Sequence, residues 1–457
     1  MIPSANRREK VALTLLGIGL LTTRLCHAGI VWVEEAYPTA AAIQILGGKA
    51  LYRDIWFDKP PLSAFVYLLW GAGTGVPLRI AGAAFVFLCC VMAWWFGRSL
   101  WSEREGIAAA LLLGFFLTFG IPSAVMAMAP DLLMVLPHLA AIFLAWRGRP
   151  FWSGLVAGLA LLVNAKAAFV LAACLLWAGA GWPWLLVGFA LPNLAALAWF
   201  GSPYLEEVWR WGAMYSAQGF SWTTGITRTL NWAGFQAALI MAAAIATRKE
   251  KAWRMSAWVA LCFVAVAAGW RFFPRYYFQL LPALALLAAR GYVLAGRARG
   301  CILCLLLIPL IRFGPRYVTL ANDLTHDREP EWSDLVLSQD GRAAADRLER
   351  SGTLLVWGYR PEIFADTRMR AGTRFLDSQP LTGVLADRHL VSSEASAPEL
   401  AARNRRALTQ TKPDWIVDGL GPLNPALAIT RYAELADWLA DYREVGRTKY
   451  TVIYTKK

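Results

Sequence analysis

The sequence predicts a polytopic α-helical membrane protein that ends in a small soluble α/β domain. Three observations lead there. The 457 residues are 58% hydrophobic, with 23 tryptophans and a mean hydropathy of +0.44, too apolar for a soluble chain. Apolar runs of about 15–23 residues recur up to residue 313, each long enough at about 1.5 Å per residue to cross most or all of a hydrocarbon core of about 30 Å. From about Gly314 the runs shorten and the charges balance: residues 1–313 hold 25 Lys/Arg against 11 Asp/Glu, and residues 314–457 hold 20 of each. The net charge of +14 therefore belongs to the membrane half, and no basic face in the soluble part speaks for nucleic acid.

Taken in order, the chain opens on Arg7, Arg8 and Lys10 before an apolar run, a pattern shared with signal peptides. It reads as an uncleaved first span, because removing it would reverse the charge sidedness of the others. Spans are expected near 11–29, 78–97, 106–121, 132–146, 151–164, 167–180, 183–200, 232–247, 254–270, 277–290 and 300–313, about eleven crossings. With the N-terminus cytoplasmic, the inner segments 7–10, 98–105, 147–149, 248–254 and 290–299 collect fourteen cations against four acids. The C-terminal domain, 314–457, then lies outside. Segment 62–75 is short and glycine-broken, so it is expected to lie in the interface or dip partly into the bilayer rather than span it. In the tail, 334–350, 398–411 and 432–440 read as helices, and 354–357, 415–417 and 450–454 as strands. All seven cysteines lie in apolar segments and imply no disulfide framework.

The exterior face collects the chemistry. The first exterior loop, 30–61, carries Glu34-Glu35 and then Tyr52-Arg53-Asp54 and Asp58-Lys59-Pro60-Pro61-Leu62. Adjacent residues of a surface helix point about 100° apart, so only one of Glu34 and Glu35 faces a given pocket. Pro60-Pro61 stops the segment and aims Asp58 and Lys59. Asp131, after Pro130, opens a span, where it is also a natural helix N-cap. Lys166 interrupts an apolar stretch at a hairpin turned by Asn164, and an ammonium near hydrocarbon is costly unless it is used or snorkels to headgroups. Arg271 and Arg275, followed by Tyr276, place two guanidiniums at another exterior hairpin, and guanidiniums suit phosphate through paired hydrogen bonds. There is no P-loop, GxSxG or HExxH, and no Cys/His spacing suited to zinc.

This arrangement resembles the GT-C glycosyltransferases, and within them the protein O-mannosyltransferase and aminoarabinose-transferase branch of bacterial inner membranes. The likeness covers the topology of the whole chain, with its specific motifs in residues 32–62, 126–131 and 271–282. The resemblance implies a GT-C-like catalytic module in 1–313, with exterior loops at 30–61 and 202–231, and a soluble α/β domain in 314–457. It implies transfer of a sugar from a polyprenyl-phosphate donor to an acceptor hydroxyl, usually with inversion, in the inner (plasma) membrane. The family's first acidic residue, usually Asp, falls on Glu34, with Glu35 second, so the choice of base between them stays open. Asp131 takes the place of the family's exterior Asp and is expected to be catalytic together with Glu34, and Glu35, Asp58, Lys59, Lys166, Arg271, Arg275 and Tyr276 are expected to contact substrate. No cofactor or metal is expected, because the leaving group is a phosphomonoester. The partners are the donor lipid, the bilayer and an acceptor that is protein, lipid or glycan. Two other readings fit part of the pattern: a lipid-linked sugar flippase, and a noncatalytic anchor that presents the tail domain.

Overall fold

The structure is a computed structural model that describes residues 5–216, 221–250 and 252–457; Lys251, among the expected inner cations, and residues 217–220 of the expected 202–231 loop lie outside them. The chain begins with α1 (Arg7–Leu25), whose start is fixed by a capping box: the Asn6 side chain accepts from the Glu9 amide while Glu9 accepts from the Asn6 amide. Helix α2 (Val33–Leu46), buried from Glu35 to Gln44, follows, and then α3 (Val76–Leu100) and α4 (Glu103–Phe116). The bundle continues through α5 (Val135–Trp146), α6 (Pro150–Leu161), α7 (Ala168–Ala178) and α8 (Trp182–Tyr204). It closes with α9 (Trp222–Phe235), α10 (Ala237–Glu250), α11 (Trp253–Ala267), α12 (Leu281–Leu294) and α13 (Arg299–Phe313).

A helix lies on each of the eleven expected segments. Their lengths, however, account for fewer full crossings. Among the described residues, three helical stretches are long and apolar enough to cross a membrane, Val76–Leu100, Ala165–Met214 and Gly296–Thr325, and a fourth if the bent pair α9–α10 counts as one span. A helix such as α6, at 12 residues, covers only about 18 Å. Helices α6 and α8 nevertheless pack backbone to backbone. A Cβ on Gly154 would sit 1.9 Å from the Leu185 carbonyl, and one on Gly188 would sit 2.1 Å from the Phe151 carbonyl, so only glycine permits the crossing. Residues 62–75 form a short helix, Leu62–Phe65, and a 3-10 turn, Val66–Trp70, ended by Gly71 at φ 67°.

The tail continues from α14 (Pro315–Thr325) through α15 (Val336–Ala345) into β1 (Thr353–Trp357), α16 (Glu362–Thr367) and β2 (Arg370–Ala371). It ends with α17 (Pro398–Leu408), β3 (Trp415–Asp418), β4 (Tyr442–Arg447) and β5 (Val452–Lys456). The sheet runs in the order β2-β1-β3-β5-β4, with β1 parallel to β2 and β3, and β5 antiparallel to β3 and β4. The expected helix 432–440 is a 3-10 turn, Ala433–Leu435, followed by a single α-helical turn, Ala436–Leu439. Strand β4 escaped the sequence reading because it is a charged, exposed edge with only Tyr442 buried.

This domain is built onto α2 and the loop after it. Tyr37, Ala40, Tyr52 and Phe57 share one buried core with Leu354, Val356, Phe364 and Ile453. Polar contacts tie the same surfaces: Gln44 donates to the Met369 carbonyl (2.9 Å) and accepts from the Ala371 amide (2.7 Å), and the Trp56 amide donates to the Arg374 carbonyl (2.7 Å). Elsewhere in the bundle Glu9 pairs with Arg98, and Arg290 with Glu105 and Glu250.

Candidate active site

Glu34 and Glu35 sit in the first turn of α2, and the helical offset sends them opposite ways. Glu35 is sealed, with no exposed side-chain surface. Both its oxygens accept from Arg79, itself fully buried, and they also accept from the Trp32 amide (3.0 Å) and the Met128 amide (3.2 Å). Glu35 is therefore held away from any substrate surface. Glu34 remains 21% exposed and accepts from Arg275 Nη1 at 2.6 Å.

Arg275 lies between two carboxylates. Its Nε is 3.6 Å from Asp131 Oδ2, and the other Asp131 oxygen accepts from Lys166 Nζ (3.3 Å) and Asn164 Nδ2 (3.1 Å). Asp131 belongs to the short turn Pro130–Leu133, and Asn164 caps the next 3-10 turn by accepting from the Lys166 amide, so the two hairpins are stitched together side chain to side chain. The Lys166 ammonium lies over the Tyr276 ring, and the Arg275 guanidinium lies 5.1 Å from the centre of Phe273 and 5.8 Å from that of Tyr276. Lys59 Nζ donates to Asp58 at 3.0 Å, and Lys59 is within electrostatic reach of Lys166. The structure thus brings Glu34, Asp58, Lys59, Asp131, Lys166, Arg275 and Tyr276 from five separate segments into one neighbourhood. Arg271 goes elsewhere: its Nη1 pairs with Asp387 of the tail domain at 3.3 Å.

The tail domain adds residues that the sequence reading missed. Tyr359, just past the end of β1, packs its ring 5.7 Å from that of Tyr37 and is within electrostatic reach of Glu34, Asp58 and Arg275. The signal was available, since the carboxyl ends of parallel strands in open α/β sheets are where ligands collect. Asp377 is buried behind Asp58 and accepts from the Gln379 amide at 2.7 Å. Burial first, and then the Asp58 charge, push its carboxyl up to about 7. In the folded protein Asp377 holds its proton while the unfolded chain gives it up, so its contribution to stability is full at low pH and is lost as the pH rises toward 7. Asp377→Asn is expected to unfold at a higher temperature than the parent, by a margin that grows from about pH 4 to 7 and is level above. Thermal unfolding in a pH series checks this, and a margin that does not depend on pH would refute it.

No protein-family model matches the sequence, and no curated protein matches it. Solved structures do resemble its fold. ArnT from Cupriavidus metallidurans bound to undecaprenyl phosphate aligns over 98% of both chains with a TM-score of 0.59 at 15% identity. The apo state of the same protein aligns over 97% of this chain and 98% of its own, with a TM-score of 0.55 at 13% identity. The apo oligosaccharyltransferase of Archaeoglobus fulgidus aligns over 90% of this chain and 69% of its own, with a TM-score of 0.50 at 11% identity. The chain therefore shares its overall fold with ArnT and with this oligosaccharyltransferase.

Proposed function

We propose that the protein is an inner-membrane glycosyltransferase that moves a sugar from a polyprenyl phosphate to an acceptor hydroxyl on the exterior side, with inversion. The observation that supports this most is the guanidinium of Arg275 held between Glu34 and Asp131, with Lys166 and Lys59 beside it. In the reaction the acceptor oxygen attacks the anomeric carbon. The bond from that carbon to the phosphate oxygen breaks, the phosphate keeps the electron pair, and Glu34 takes the acceptor's proton. Negative charge grows on the departing phosphate, where Arg275, Lys166 and Lys59 stabilise it most in the transition state.

The cluster as it stands sets three carboxylates against three cations. A donor phosphate would therefore compete with Glu34 and Asp131 for Arg275, and binding of the donor would leave the Glu34 oxygen open to the acceptor proton. Asp131 would keep Lys166 and Arg275 in place. Asp58, Lys59, Tyr276 and the tail residue Tyr359 would line the sugar and phosphate. No step calls for a metal ion. The sugar and the acceptor follow from experiment: purified protein in lipid vesicles, incubated with a panel of polyprenyl-phosphate sugars and candidate acceptors, should release free polyprenyl phosphate with one donor class. Movement of the donor across the vesicle without bond cleavage would instead establish a flippase.

A further inference from the structure

Helix α9 divides its surface into three lengthwise faces. Gly225, Thr229 and Trp232 face the protein: Gly225 lies against the Phe272 ring, Thr229 shares a hydrogen bond with the Tyr277 hydroxyl (2.8 Å), and Trp232 stacks on Tyr277 with ring centres 4.8 Å apart. At 100° per residue, Trp222, Ile226 and Leu230 form the next stripe, and they are 68%, 55% and 66% exposed. Beside them Thr223, Thr227 and Asn231 form a polar stripe that is also exposed. A helix in water has no reason to open three large apolar side chains, and one sunk in hydrocarbon has no reason to set hydroxyl and amide groups beside them. A lengthwise boundary fits a helix lying in the plane where acyl chains meet headgroups.

Two further observations agree. Helix α9 bends by 83° into α10, which is apolar and ends in Arg248-Lys249-Glu250, so if α10 runs through the bilayer α9 runs along it. Trp222 meets Trp270 edge to face at 5.9 Å, a tryptophan pair of the kind that marks a membrane interface.

We propose that α9 is an in-plane helix whose Trp222, Ile226 and Leu230 enter the acyl-chain layer while Thr223, Thr227 and Asn231 face water. The proposal rests on the membrane reading, not on sugar transfer. Its consequence for the site is a fixed depth. Arg228 donates to the Arg271 carbonyl (2.5 Å) and lies over Phe273 (5.2 Å), the ring that Arg275 also covers, so α9 sets the level at which Arg275 meets a lipid phosphate.

The test measures depth directly. In full-length protein carrying Cys301→Ser and Cys304→Ser, which removes the two exposed thiols, a nitroxide is attached at Ile226→Cys or at Thr227→Cys. Each protein is reconstituted in phosphatidylcholine/phosphatidylglycerol vesicles, and relaxation by oxygen is compared with relaxation by a water-soluble nickel complex. Oxygen should dominate at 226 and nickel at 227. Nickel dominating at both positions, or oxygen at both, would overturn the proposal. Either result is independent of whether the protein transfers sugar, so failure here and failure of the enzyme reading are distinguishable.

Discussion

Glu34→Gln is expected to lower turnover by about 10²- to 10⁴-fold, the usual share of a positioned general base, while leaving the fold intact. The amide keeps the side chain's length and can still accept from Arg275, but it cannot take a proton at neutral pH. Because the amide keeps the hydrogen bond and Asp131 still lies beside Arg275 as a counter-charge, the unfolding temperature should stay close to that of the parent. Glu34→Asp should retain more activity than Glu34→Gln, since it keeps the carboxylate and loses one methylene of reach. Release of polyprenyl phosphate under saturating donor measures all three. Unchanged turnover in Glu34→Gln would remove the base from this position and, with Glu35 buried, from the acidic pair altogether.

How much of this was legible beforehand depends on what each residue needed to declare itself. Helices on the eleven segments could be placed because apolar runs bounded by charge need no partner to be recognised, whereas their lengths in the fold depend on kinks and crossings that composition does not encode. That only one of Glu34 and Glu35 faces a given pocket followed from helix geometry alone. Which one faces inward did not, because that depends on Arg79, an arginine inside an apolar run 44 residues away. The meeting of Asp131, Lys166 and Arg275 was legible as chemistry, since each is a charge at the edge of hydrocarbon. Arg271 carries the same signal, yet its partner Asp387 lies in the tail domain. Tyr359 carried one signal, its place just past the end of a parallel strand, whereas Asp377 was invisible because an aspartate in a soluble domain is ordinary until that domain is docked on α2.

The second large effect concerns the sealed pair. Glu35→Ala leaves the Arg79 guanidinium buried without its counter-charge, and removing one partner of such a pair costs about 3–5 kcal/mol. Exchange of both members for apolar residues often restores stability elsewhere, but Glu35→Leu with Arg79→Leu is not expected to do so here. Two of the carbonyls that Arg79 holds keep other donors, Met126 from Arg24 and His27 from the Ile30 amide. The buried Ile30 carbonyl and the buried Trp32 and Met128 amides bond to this pair alone among the described contacts, and each would be left at a cost of about 1–3 kcal/mol. Trp32 precedes Glu34 by two residues and Met128 precedes Asp131 by three, so the clamp also sets the spacing of the two carboxylates around Arg275. Thermal unfolding in detergent should therefore rank the parent well above both variants, and any variant that still folds should be slow. A double leucine variant with the parent's unfolding temperature would mean that the backbone of these two segments holds its shape without the clamp.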